Sequence, residues 1–171
     1  MKIIEAMKKI KDLQRKAEDI RDKIGKYCAD LDCETAVYPD QRNQISLWEQ
    51  AHSDIIKEIG KLRFSIQKTN VLTLVRIELD GKFIEKSIAE WIHRRKDLAS
   101  LEESAWSKLN DKGYKEASSY KVTPNSPDQI VRRRLYFDPK ERDNKIELYR
   151  SEPSKIDSTL EVINAITDII E

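Results

Sequence analysis

Glycine and proline are scarce here, four and five residues in a chain of 171. So few chain breakers leave room for long helices. Cysteine is scarcer still: only Cys28 and Cys33, with four residues between them. A zinc site would need two further ligands, and neither His52 nor His93 stands at a ligand spacing from them. The expected state is two reduced thiols, one at a helix end and one in the following loop, with a disulfide or a metal role as alternatives; no metal and no cofactor is expected. No apolar run approaches the roughly 18 residues of a membrane span. The opening MKIIEAMKKIKDLQRK lacks the continuous apolar stretch of an export signal. A cytoplasmic, soluble protein without a membrane partner is expected. One sign of charge does not dominate either, because the formal net charge is +1. That excludes a global field drawing the molecule onto nucleic acid or anionic lipid.

What is present in quantity is charge and aliphatic bulk: 37% charged and 39% hydrophobic residues. Length and composition suit one domain spanning residues 1–171, with amphipathic helices whose outer faces are solvated. Ile3, Met7, Ile10, Ala17 and Ile24 recur in steps of three and four or their multiples, widened by Leu13 and Ile20. This spacing predicts a first helix ending around Gly25 to Cys28. A loop rich in Asp, Pro and Asn follows. A second helix is expected from about Ile45 through Trp48, Ala51, Ile55, Ile59, Leu62 and Ile66 to Asn70.

Thr73, Val75, Ile77 and Leu79 then alternate before Asp80-Gly81, a pair that favours a two-residue hairpin turn. Either a short hairpin or a strand with a tight turn into the next helix fits. A third helix is expected over about Ile84 to Leu109, with Trp91, Ile92, Leu98 and Leu101 on its apolar side. A Ser- and Pro-rich loop follows, with one strand near Tyr120 to Val122, and then a strand in IVRRRLYF. The last helical region contains Pro153, which either kinks one long helix or follows a fresh start capped by Ser151; a kink is favoured.

Two stretches repeat. Lys61-Leu62-x-x-Ser65-Ile66-x-x-x-Asn70-x-x-Thr73 matches Lys155-Ile156-x-x-Thr159-Leu160-x-x-x-Asn164-x-x-Thr167 at an offset of 94. Ile3-x-Glu5-x-Met7-x-Lys9-x-Lys11-Asp12-Leu13 matches Ile88-x-Glu90-x-Ile92-x-Arg94-x-Lys96-Asp97-Leu98 at an offset of 85. Two matches in one order suggest a duplicated helical hairpin, with halves of about 1–75 and 84–171. The expected fold is mainly α with a minor β part. Four long helices form two pseudo-repeated antiparallel hairpins, and a small antiparallel β element gathers at one end. Asn70, Thr73, Asn164 and Thr167 read as structural pairs at helix ends. Asn suits the left-handed residue that stops a helix, and Thr can bond nearby backbone. A polar pocket near the pseudo-axis is the other reading.

The segments IIEAMKKIKDLQRKAEDIRDKI, IQKTNVLTLVRIELDGKFIEKSIAEWIHRRKDLASL and FDPKERDNKIELYRSEPSKIDSTLEVINAITDI resemble a bacterial family of uncharacterised proteins, some labelled septicolysin. The resemblance spans nearly the whole chain. It implies a long-helix fold with a small β element and self-association, and it brings no established activity. The lytic function in the label is not carried over, since no segment is built for membranes.

The chain has no Gly-rich phosphate loop, nucleophile elbow or His-Glu-x-x-His, so no catalytic residue is assigned. Glu5, Asp12, Glu90 and Asp97 recur between the halves but sit at ordinary ion-pair spacings. The best binding candidate is the basic strand, where Arg132, Arg134 and Tyr136 share one face and could grip phosphate and stack a base, with His93 and Arg95 in support. The stretch from Ile130 to Arg150 holds seven basic and four acidic residues, an excess too small to argue strongly for nucleic acid. The reading that follows is a structural or interaction protein that forms a homo-oligomer, with nucleic-acid or phosphate-ligand binding as the alternative.

Overall fold

The computed structural model describes residues 1–112 and 134–170. Its elements are α1 (Ile3–Tyr27), α2 (Gln41–Leu72), β1 (Leu74–Leu79), β2 (Lys82–Ser87), α3 (Ile88–His93), a π turn (Arg94–Leu98), α4 (Ala99–Ser107) and α5 (Pro139–Ile166). The fold is mainly α with one two-stranded antiparallel sheet. The chain divides into two compact units, and their bounds cut across the two sequence halves. Unit 1 holds Met1–Val75, Ser87–Ala89 and Leu160–Glu171; unit 2 holds Arg76–Lys86 and Glu90–Thr159.

In unit 1, α1 buries Ile3, Ala6, Ile10, Leu13 and Ala17, a three–four spacing that keeps one face inward. Met7 belongs to the expected stripe but is 46% exposed. Ala6 takes its place: Met7 is equally one turn from Ile3 and Ile10, but the buried Leu13 and Ala17 centre the inward face on the Ala6 side, about 100° round the helix from Met7. The Glu5 carboxylate accepts the Lys2 N–H at 2.8 Å and closes the start of the helix. At the far end the Tyr27, Tyr38 and Trp48 rings meet with centroids 5.4–5.8 Å apart. Gln41 ties the connecting loop there, donating to the Tyr27 carbonyl at 2.8 Å and accepting from the Tyr38 N–H at 3.1 Å. The Asp40 side chain caps α2 by accepting the Asn43 N–H.

α2 runs back antiparallel to α1, so Tyr27 faces Trp48 while Lys9 pairs with Glu58 at 2.6 Å. Ile10, Leu13, Ile59 and Leu62 form the core between them, with Ile55, Ile66 and Ile169 packed on it. The Asn70 reading needs correction. Asn70 lies inside α2, which ends at Leu72, and Asn164 lies inside α5, so neither is a left-handed stop residue. The threonines do the ending. Thr73 N–H still donates to the Thr69 carbonyl and Thr167 N–H to the Ile163 carbonyl, both at 2.9 Å, before the chain extends.

The next bonds share one pattern. The Thr73 carbonyl accepts the Ile88 N–H and the Thr167 carbonyl accepts the Ile3 N–H, each at 3.0 Å. Beside the second lies an antiparallel bridge, Lys2 to Asp168, with the Ile169 N–H donating to the Met1 carbonyl at 2.9 Å. Lys2 Nζ also reaches the Asp168 carboxylate at 2.6 Å and the Ile166 carbonyl at 2.7 Å. Thr69, fully buried, takes the Ile170 N–H on its hydroxyl at 2.8 Å and donates that hydroxyl to Ser65.

In unit 2, Asp80 at φ 54° and Gly81 at φ 69° make the turn of a true hairpin. Positive φ at both central residues is the turn whose twist matches paired strands. Ile77 and Leu79 face inward along β1, and Arg76 pairs across the hairpin with Glu85 at 3.2 Å. Ile84 is therefore a strand residue, and the third helix starts at Ile88 instead. Its interior holds the π turn, marked by the Ala99 N–H reaching five residues back to the Arg94 carbonyl. That extra residue per turn shifts the face, leaving Leu98 and Leu101 exposed while Trp91 and Ala99 are buried. α5 is one helix with Pro153 inside it. Ser151 caps no new start, since its hydroxyl donates to the Leu148 carbonyl one turn back. Of IVRRRLYF only Arg134–Phe137 is described, and it is not strand; the first four residues and the strand expected near Tyr120 lie outside the described residues.

Candidate functional site

The described members of the anion-binding group are not brought together. Arg132 lies outside the described residues. Arg134 is exposed, and Tyr136 is 89% exposed in an irregular stretch before α5. His93 ends α3 on the solvent side. Arg95, in the π turn, is already neutralised by Asp157 of α5. Among the described residues no hydrogen bond, ion pair or ring contact joins any two of these.

The π turn instead builds a cluster around Arg94, which sequence reasoning passed over. Arg94 Nε donates to Glu152 at 2.6 Å, and its Nη1 donates to Glu102 at 2.6 Å. Its guanidinium lies 5.4 Å from the Tyr149 ring centroid. Nearby, Arg150 holds Glu103 at 2.8 Å, and Arg142 reaches the Leu109 carbonyl at 3.2 Å. These pairs run antiparallel along α3–α4 and α5. The Glu152 side chain is only 5% exposed, so Arg94 supplies the positive charge it needs inside. Two carboxylates raise the Arg94 pKa, and Arg94 in turn holds Glu102 below the usual carboxylate range. Burial, with the hydrogen bond to Glu102 next, pushes the Tyr149 hydroxyl up. Every charge in the cluster is matched, which makes it a clamp between helices. The partners stand 58 positions apart, and no local pattern announces them.

Among the described residues no group of three His, Cys, Asp or Glu side chains is placed to hold a metal ion. No helix among them is long and apolar enough to cross a membrane. Asn70 Oδ1 is buried without a hydrogen-bond partner.

No protein family model matches the chain, and no curated protein does. One solved structure is similar: a functionally unknown conserved protein from Corynebacterium diphtheriae, 16% identical, covering 99% of each chain with a TM-score of 0.55. The likeness is one of fold. It extends over the whole length of both chains, so the arrangement of elements is not peculiar to this sequence.

The feature left over is apolar and in unit 1. Phe64, Val71, Leu72 and Leu74 on the α2 side, and Val162 and Ile166 on the α5 side, are each at least 60% exposed. They cluster in sequence around the two helix ends that pass into the bonded junction at Thr73 and Thr167.

Proposed function

We propose that this protein is a self-associating structural or interaction protein of the cytoplasm with no catalysis of its own. The carrying observation is the set of exposed apolar side chains at the two helix ends of unit 1. Interfaces between copies are built around such residues, since covering them recovers about 25 cal/mol per Å² of apolar surface. The family resemblance points to self-association as well. The matched bonds at Thr73–Ile88 and Thr167–Ile3 support the further proposal that the chain is a duplicated unit. Nucleic-acid binding has less support, because Arg95 is committed to Asp157.

Light scattering coupled to size exclusion, at about 10 μM protein, tests the assembly. A dimer or larger species is expected, converted to monomer by Phe64→Glu or Ile166→Glu with unchanged far-ultraviolet circular dichroism. A native chain that is strictly monomeric throughout would sink the proposal.

A further inference from the structure

We infer that the groove between α1 and α2 in unit 1 binds a small organic anion: an oxyanion group, such as a carboxylate, sulfonate or phosphate ester, on an apolar body. The groove has a volume of about 390 Å³. Buried Ala17 and Ile59 form its apolar base, Ile56 (half exposed) and Gly60 flank it, and Arg21, His52 and Arg63 stand around it with Gln14 and Glu18. Arg63 and His52 have no hydrogen-bonding or ionic partner among the described residues, and Arg21 is shared only with its exposed neighbour Asp22. Three cationic or donor side chains around an apolar hollow are the pairing that an amphiphilic anion needs. The unpaired Glu18 carboxylate would select ligands that also carry a donor group.

Gly60 supplies an independent reason. It sits in the middle of the 32-residue α2, where glycine disfavours helix, and its backbone is not at positive φ. A Cβ built there meets nothing within 4 Å, so neither packing nor backbone conformation demands glycine. Gly60 lines the groove, and the space before its Cα is open, so a larger side chain there would stand in the groove. An alanine would favour the helix; a leucine would fill the hollow.

This inference rests on different residues from the assembly proposal, and its test is separable from it. The probe is 8-anilinonaphthalene-1-sulfonate, an aryl sulfonate with an amine donor, titrated into the full chain by fluorescence. One saturable site is expected, displaced by phenyl phosphate but not by the same concentration of inorganic phosphate. Gly60→Leu and Arg63→Ala should each weaken the probe at least tenfold while Gly60→Ala raises Tm. Leu101→Ser, which removes an exposed leucine elsewhere, should leave binding within twofold. Circular dichroism establishes that each variant is folded. Non-saturable binding, equal displacement by inorganic phosphate, full affinity in both groove variants, or an equal loss in Leu101→Ser would each overturn the assignment.

Discussion

Arg94 is held by two carboxylates that differ in their access to water, and the difference decides what each is worth. Glu152 is buried, so removing Arg94 strands a charge inside, at a cost of about 3–5 kcal/mol. Glu102 is about half exposed, and its share is about 1 kcal/mol or less. The folded Glu102 pKa lies below its ordinary 4.5, so the unfolded chain binds the extra proton as pH falls. Its contribution is full above about pH 4.5 and is lost as pH drops through the folded value. Asp168, hydrogen-bonded to Lys2, acts with the same sign. Thermal melts from pH 7 to pH 3 should therefore show Tm falling below about pH 4.5, with a shallower fall in Glu102→Gln. Arg94→Met should lower stability by about 3–5 kcal/mol at pH 7; a loss under 1 kcal/mol would mean that Glu152 finds water or another donor.

At the scale of elements, legibility followed locality. Asp80-Gly81 announces its hairpin because the turn's two positive φ values are a property of those two residues. Gly81→Ala should accordingly cost about 1–2 kcal/mol, the strain of a left-handed alanine, read from urea unfolding; no loss would show that the turn can change type. The α1 stripe was legible apart from its choice of Met7 over Ala6, since both fit an apolar pattern and only packing picks one. Aliphatic spacing places Ile84 in a helix because it cannot tell an exposed strand residue from a helical one, and pairing with β1 decides it. The π turn was invisible: its single extra residue follows from where Arg94 and Arg95 must reach on α5, which is tertiary information. For Arg95 the same reason holds, because the Asp157 it pairs with lies 62 residues away.

Across the whole molecule, the sequence shows two patterns recurring at fixed offsets. What the recurrence means for Asn70 and Asn164 is not legible there, because each helix runs on to a threonine whose N–H still bonds one turn back. The Thr73 and Thr167 carbonyls just beyond the ends then accept the Ile88 and Ile3 N–H groups, beyond a hairpin or far along the chain. The bridge between Lys2 and Asp168 occupies, by the same offsets, the place of Ser87 and Leu74 at the foot of β1 and β2. Where the hairpin passes covalently from one strand to the next, residues 1 and 169 are joined by a hydrogen bond alone. A covalent turn closes one junction and a hydrogen-bonded bridge closes the other. A chain rejoined from Ile170 to Met1 through an Asp-Gly turn, and opened between Asp80 and Gly81, should fold to the same circular dichroism spectrum and melt cooperatively. Failure to fold would mean that the hairpin and the terminal bridge are not interchangeable.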